Sequence, residues 1–174
     1  MKKIFFDTYP QWDNDCPYDS LTGVDIDGVV YYKEYARRPT DPSEQHLVEV
    51  LFGLAEKGFE GWADLEKQEA HLEFKAQHDK GCNMTVFVDV LAQKLKAWCP
   101  IPCHISKFNA GPYYYLDIND ENFAHIVDIS AEVGPDDVSV EIKTKLHDPL
   151  SVILTLSGII GDAWEKTNTL LELA

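Results

Sequence analysis

Two aspartates with one residue between them lie in the stretch VDIDGVV at residues 24–30. Closely spaced carboxylates such as Asp25 and Asp27 are suited to acid–base catalysis. The stretch also has a purely structural interpretation, because Asp27-Gly28 separates two short runs rich in β-branched and aromatic residues. Asp and Gly tolerate the positive φ angles of a type I′ turn. We therefore predict a β-hairpin over residues 23–32 and keep catalysis as the alternative.

The same stretch resembles the first motif of the haloacid-dehalogenase-like phosphatases. The resemblance implies that Asp25 is the nucleophile, that Asp27 is the general acid and that Mg²⁺ lies beside both. Near the other end of the chain, SGIIGD at residues 157–162 is similar to the late metal-binding motif of that family. This motif adds Asp162 as a metal ligand. The implied function is a Mg²⁺-dependent phosphohydrolase.

The chain departs from that family's pattern in three places. No continuous apolar run precedes Asp25, as a buried parallel strand would require. Lys166 stands four residues after Asp162, where the family has a second carboxylate. Successive probable strands occupy residues 104–145, where the family alternates strands and helices. We therefore predict no catalytic residue and retain the phosphohydrolase as the alternative function.

Two other patterns could bind a metal ion. CPIPCH at residues 99–104, with Cys82 upstream, offers soft ligands for zinc, but the C-x₃-C spacing and the absence of a His-x₃-His pair favour buried cysteines. Residues 117–128 loosely follow a calcium loop. Its sixth position is Asn122 where Gly is required, and its twelfth is Asp128 instead of a bidentate Glu. We predict neither a metal nor another cofactor.

The chain has 174 residues and a net charge of −15, with 30 acidic and 15 basic side chains. This excess argues against nucleic acids and anionic membranes as direct partners, because both need clustered Lys and Arg. The first residues lack the apolar run of a secretory signal, and the most apolar stretch, residues 150–160, is shorter than the roughly 20 residues of a membrane span. We expect a cytoplasmic protein with reduced cysteines, monomeric because of its charge.

Residues 4–32 contain six aspartates and no Lys or Arg, interleaved with Tyr and Trp. Aromatic anchors surrounded by carboxylates suit a basic protein partner. The predicted partner-binding residues are Trp12, Asp13, Asp15, Tyr18, Asp19, Asp25 and Asp27. In the alternative interpretation the aromatic residues belong to the core and the aspartates to turns and solvated rims.

In size, acidity and lack of catalytic motifs, the chain is similar to bacterial toxin-immunity proteins of the contact-dependent growth inhibition type. These proteins neutralise a cognate, often basic nuclease toxin by covering its active site. The resemblance rests on the acidic and aromatic residues above and transfers no residue roles. It implies a non-enzymatic binding module with a basic protein toxin as its partner.

The predicted fold is a single α+β domain over residues 1–174, with an antiparallel β-sheet and about three helices packed on one face. The helix signals are a capped start at Asp41-Pro42, an apolar face over residues 84–98, and a start at Asp148-Pro149 whose pattern runs nearly to the end as one helix or a kinked pair. Strands are predicted around His71 and over residues 104–108, 112–118, 124–130 and 138–145.

Overall fold

The computed structural model describes residues 3–9, 21–75, 84–98, 103–111, 113–120, 127–134, 137–144 and 148–172. Within these residues the chain forms a nine-stranded antiparallel sheet and three helices. The helices pack on one face of the sheet, so the predicted α+β fold class is confirmed.

Strands of four to eight residues make up the sheet. They are β1 (Lys3–Tyr9), β2 (Leu21–Ile26), β3 (Val29–Tyr32), β4 (Phe59–Asp64), β5 (Glu69–Lys75), β6 (Cys103–Ala110), β7 (Tyr113–Asp120), β8 (Val127–Val133) and β9 (Asp137–Thr144). Their spatial order is β3-β2-β1-β4-β5-β9-β8-β7-β6, and every neighbouring pair is antiparallel. The two halves of the sheet therefore join where β5 pairs with β9.

The predicted hairpin is confirmed. Asp27 and Gly28 have φ angles of 51° and 90°, the left-handed values that a type I′ turn requires. The Asp25 carboxylate accepts a hydrogen bond from the Gly28 N–H (2.7 Å), and the Asp27 carboxylate accepts one from the Lys3 N–H (2.8 Å). Both aspartates thus satisfy backbone donors at the β2–β3 turn and on the neighbouring β1.

The three helices also follow their sequence signals. Helix α1 (Pro42–Glu56) begins where the Asp41 carboxylate accepts from the Ser43 N–H at 3.0 Å, and Gly58, with a φ of 99°, follows its end. Helix α2 (Met84–Trp98) has the predicted bounds. Helix α3 (Pro149–Glu172) is one continuous helix, which resolves the choice between one helix and a kinked pair.

The strands differ from the sequence prediction in several places. Strands β1 and β4 were not predicted from the sequence. In β1, Phe5 and Phe6 lie on opposite faces, so the polar–apolar alternation of a strand is hidden. In β4, Gly61 weakens the sequence signal of a strand. Strand β6 continues through Ala110, which the sequence placed in a turn. Strand β8 continues to Val133, past the predicted end, because its pairing with β7 and β9 extends there; its predicted start lies outside the described residues.

Alternate residues of each strand face the helices and form the core. Helix α1 packs on β1, β2 and β4, helix α3 packs on β4, β5 and β9, and helix α2 lies against α3 and β6. The largest fully buried side chains of this core are Phe6, Phe52, Phe87, Leu51, Leu72, Leu91, Leu116, Ile142, Ile153, Leu156 and Ile160. Leu21 is equally buried but lies on the same face of β2 as Asp25. Within the described residues, no helix covers the opposite face of the sheet.

A pair of glycine substitutions tests this packing. A Cβ at Gly61 would lie 2.4 Å from the carbonyl oxygen of His71, whereas a Cβ at Gly158 in α3 would meet nothing within 4 Å. Gly61→Ala should therefore destabilise the fold by about 2 kcal/mol. Gly158→Ala should stabilise it by up to about 1 kcal/mol, because Ala loses less backbone entropy in a helix. Urea unfolding measures both; equal stabilities would contradict the close β4–β5 approach.

Candidate protein-binding surface

The face of the sheet that points away from the helices, called the open face here, is rich in carboxylates. The strand registers place acidic side chains on it from β2 across to β7, with few lysines between them. Its charged members among the described residues are Asp7, Asp25, Glu60, Asp64, Glu69, Glu73, Asp117, Glu132, Asp137 and Glu141, with Lys3, Lys75 and Lys143. The open face is therefore strongly negative.

A cross-strand row at the centre of the open face combines aromatic rings with carboxylates at its ends. Direct pairing aligns Asp25, Phe5, Trp62, His71 and Glu141 on five neighbouring strands. Trp62 is 38% exposed and stacks on His71, with ring centroids 6.3 Å apart and an interplanar angle of 19°. This row, called the central row, presents an indole ring to the exterior.

Both nitrogens of the His71 ring contact carboxylates. Nδ1 lies 2.5 Å from Oε1 of Glu141, and Nε2 lies 3.0 Å from Oε1 of Glu73. Both ring nitrogens are within hydrogen-bonding distance of a carboxyl oxygen, and the position of the protons decides which atom donates in each contact. The two contacts hold the ring in place, and the ring in turn supports the indole of Trp62.

Glu60 and Glu73 form a carboxylate pair directly opposite each other on β4 and β5. Burial raises the pKa of Glu60, but hydrogen bonds with Glu73, Asp7 and Lys75 and the charge of Lys75 lower the pKa overall to about 2. The hydrogen bond with Glu60 raises the pKa of Glu73, burial adds to that rise, and His71 opposes it. Since the Lys75 ammonium lies 3.2 Å from Glu60, Glu60 ionises first and Glu73 second.

This pair extends into a continuous network across four strands. Glu141 and Glu73 contact the two nitrogens of His71, and the carboxyl groups of Glu73, Glu60 and Asp7 interact with one another on β5, β4 and β1. Like charges on directly paired positions destabilise a sheet. The network therefore concentrates negative charge at a cost to folding.

Aromatic side chains are exposed at a second position on the open face. Phe108 on β6 is 50% exposed and stacks on Tyr115 of β7, with centroids 4.9 Å apart and an interplanar angle of 18°. Tyr113, 36% exposed, lies on the same face of β7. Carboxylates of Asp117 and Glu132 lie on the neighbouring positions of β7 and β8.

A groove of about 440 Å³ lies at the end of the open face near the β2–β3 turn. Two of the predicted partner-binding residues, Asp25 and Asp27, line it together with Trp62. The other predicted partner-binding residues lie between β1 and β2 in the chain and outside the described residues: Trp12, Asp13, Asp15, Tyr18 and Asp19.

The structure separates the carboxylates that the phosphatase resemblance would combine. Asp25 lies on the open face, because its neighbours Val24 and Ile26 are buried on the helix side. Asp162 is exposed on α3, which packs on the other face of the sheet. Asp25 and Asp162 therefore lie on opposite sides of the sheet.

The candidate metal ligands lie largely beyond the described chain. Cys16, Cys82 and Cys99 are outside it, and only the backbone of Cys103 is described. His104 lies 2.7 Å from the Ser106 hydroxyl. Among the described residues, no group of three or more His, Cys, Asp and Glu side chains is arranged to hold a metal ion. No helix in the same part of the chain has the length and apolarity to cross a membrane.

The sequence did not indicate a binding role for Trp62 and Glu141, which lie at the centre of the open face. It placed His71 and Glu73 in a strand but gave no sign of their contacts. The alternation of charged and apolar residues in β5 was a signal that its charged side chains share one face. Nothing local indicated that they would meet Trp62 and Glu141, because those contacts depend on strand register.

No protein-family model, curated protein or solved structure matches this chain.

Glu60→Gln should destabilise the fold at pH 7 by about 1 kcal/mol. The folded pKa of Glu60 is lowered, so its contribution to stability is complete above the ordinary value of 4.5 and is lost as the pH falls toward 2. The difference between variant and wild type should therefore disappear near pH 2. Chemical unfolding at a series of pH values measures it; a difference that persists at low pH would contradict this ionisation order.

Glu73→Gln should have the opposite effect and stabilise the fold at pH 7 by about 0.5 kcal/mol. The raised pKa means that the contribution of Glu73 is present below 4.5 and is lost as the pH rises through the folded pKa. Gln removes the repulsion with Glu60 and keeps a hydrogen-bonding group. The same unfolding series applies, with Glu132→Gln as a control expected to change stability by less than about 0.5 kcal/mol.

Proposed function

We propose that this protein is a non-enzymatic binding module whose open face covers a basic surface of a protein partner. The most specific form of the proposal is an inhibitor or immunity protein that neutralises a basic, nuclease-like toxin by covering its active site. The observation that carries it is the combination of clustered carboxylates and exposed aromatic rings on the one face of the sheet that no described helix covers.

The aromatic residues supply anchors of the kind found at binding surfaces. Trp62 and Phe108 are exposed yet held by stacking on His71 and Tyr115. Rings held in place lose little conformational entropy on binding, and large aromatic contacts dominate many interfaces. Trp62 on β4 and Phe108 on β6 are separated by β5, β9, β8 and β7, so one partner surface could engage both.

The carboxylate network supports a basic partner. Glu60 and Glu73 lie directly opposite each other on paired strands, where two ionised carboxylates repel. The pKa of Glu73 is raised mainly by its hydrogen bond with Glu60, and burial and the charge of Glu60 add to the rise. A charge arrangement that disfavours folding is typical of a functional surface. A cationic partner would relieve this repulsion and would associate rapidly, because the negative field attracts it from a distance.

Salt dependence is the first test. The partner to use is the product of the neighbouring gene, co-expressed with this chain, since an inhibitor is expected beside its target. Association measured by stopped-flow or surface plasmon resonance should slow at least tenfold between 50 mM and 500 mM NaCl, as steering is screened. An association rate insensitive to salt would contradict the proposal.

A matched pair of charge reversals locates the surface. The double variant Asp117→Lys, Glu132→Lys alters the open face, whereas Asp162→Lys, Glu165→Lys makes the same charge change on exposed positions of α3. The open-face variant should lose at least tenfold in affinity, because like charges then meet at the interface. The α3 variant should stay within about threefold of wild type. Equal losses in both variants would place the binding surface elsewhere.

An activity assay separates this proposal from an enzyme. Purified protein with Mg²⁺ and p-nitrophenyl phosphate should release no more nitrophenol than the buffer control. Hydrolysis that requires Mg²⁺ and disappears in Asp25→Asn would contradict a purely binding role.

A further inference from the structure

We infer that the groove beside Trp62 receives an arginine side chain of the partner. The inference rests on the proposed function and specifies the chemistry of one anchor point. The groove has a volume of about 440 Å³, within the range of about 300–1,000 Å³ typical of ligand sites. It opens on the acidic face and has room for a long side chain.

The floor of the groove is aromatic. Phe5 and Trp62 are direct cross-strand partners, and both line the groove. His71 stacks parallel to the Trp62 indole, and Glu141 and Glu73 hold His71 in turn. The indole is therefore positioned before any ligand binds, and a cation above its exposed ring is attracted by the π-electron density.

The charged residues that line the groove are four carboxylates and two lysines: Asp25, Asp27, Asp64, Glu69, Lys3 and Lys67. Two of the carboxylates, Asp27 and Asp64, accept hydrogen bonds from backbone N–H groups. Asp27 accepts from the Lys3 N–H, and Asp64 accepts from the N–H groups of Glu66 and Lys67 at 3.1 Å each. These bonds explain why carboxylates occupy those positions without any ligand.

Asp25 and Glu69 have fewer structural contacts. Asp25 uses one oxygen for the Gly28 N–H, and its second oxygen accepts no hydrogen bond from the described residues. The Glu69 carboxylate makes neither a hydrogen bond nor an ion pair within the described part of the chain. The two side chains lie on β2 and β5, on either side of Phe5 and Trp62. A cation above the indole would thus lie between two available carboxylates.

The combination favours arginine over lysine. A guanidinium is planar and weakly hydrated, so it stacks on an indole while donating in-plane hydrogen bonds to carboxylates on either side. A lysine ammonium is compact and strongly hydrated, and it would lose more hydration in the groove. The surrounding negative face complements an arginine that belongs to a basic protein surface.

The probes are blocked pentapeptides, Gly-Gly-X-Gly-Gly, in which X is arginine, lysine or citrulline. Titration is followed by the ¹⁵N–¹H signal of the Trp62 indole, assigned through its loss in Trp62→Phe. The arginine peptide should shift this signal and bind about tenfold more tightly than the neutral citrulline peptide and about threefold more tightly than the lysine peptide. Equal binding of arginine and citrulline, or of arginine and lysine, would overturn the inference.

Conservative variants test the assigned residues. Asp25→Asn keeps an acceptor for the Gly28 N–H, so the turn should form, and combined with Glu69→Gln it should weaken the arginine peptide at least fivefold. Glu165→Gln, at an exposed position of α3 on the other side of the sheet, should leave the affinity unchanged. An unchanged affinity in the double variant would also overturn the inference.

Failure here is distinguishable from failure of the proposed function. If the partner responds to reversal of Asp117 and Glu132 but the arginine peptide does not bind the groove, the acidic face is the interface and the groove is not its arginine site. If the peptide binds but the charge reversals leave the affinity for the partner unchanged, the groove recognises arginine and the proposed interface is wrong.

Discussion

Packing of the three described helices on one face of the nine-stranded sheet is the constraint on which the rest of the structure depends. Each strand alternates its side chains between the two faces, so burial of one set leaves the other set on the open face. The strongly apolar set, from Ile4 to Ile142, forms the core. Carboxylates and aromatic rings occupy many of the described positions on the open face, and of these Asp7 and Asp64 are buried.

The open face shows how an antiparallel register turns separate strands into one chemical surface. Glu60 and Glu73 are thirteen positions apart in the chain but directly opposite in space, and His71 meets a carboxylate seventy positions away. The contacts of Glu60 and Glu73 move the pKa values of these two carboxyl groups in opposite directions. Lys75 favours ionisation of Glu60, and Glu60 opposes ionisation of Glu73. Such coupling is a property of the paired strands and not of either residue alone.

The two aspartates of the β2–β3 hairpin illustrate how structural and binding roles coincide. Asp25 and Asp27 both accept backbone N–H groups, which accounts for their residue type at the turn. Asp25 nonetheless lines the groove, and only one of its carboxylate oxygens accepts the hydrogen bond from the turn. The second oxygen is available to a ligand in the groove. A residue required by the local backbone thus contributes to a surface formed by four strands, and its presence in a motif is not enough to identify a catalytic site.

The sequence by itself determined the features whose physical causes act within a few residues. The Asp41 cap, the Asp27-Gly28 turn and the 3.6-residue period of α3 all depend on neighbouring backbone groups, and the strand alternation implied an α+β fold. Only the tertiary structure revealed β1 and β4, since both faces of β1 carry large apolar rings and Gly61 interrupts β4. It alone also decided the central row and the Glu60–Glu73 pair, because strand order and register bring distant residues together and no local pattern encodes that register.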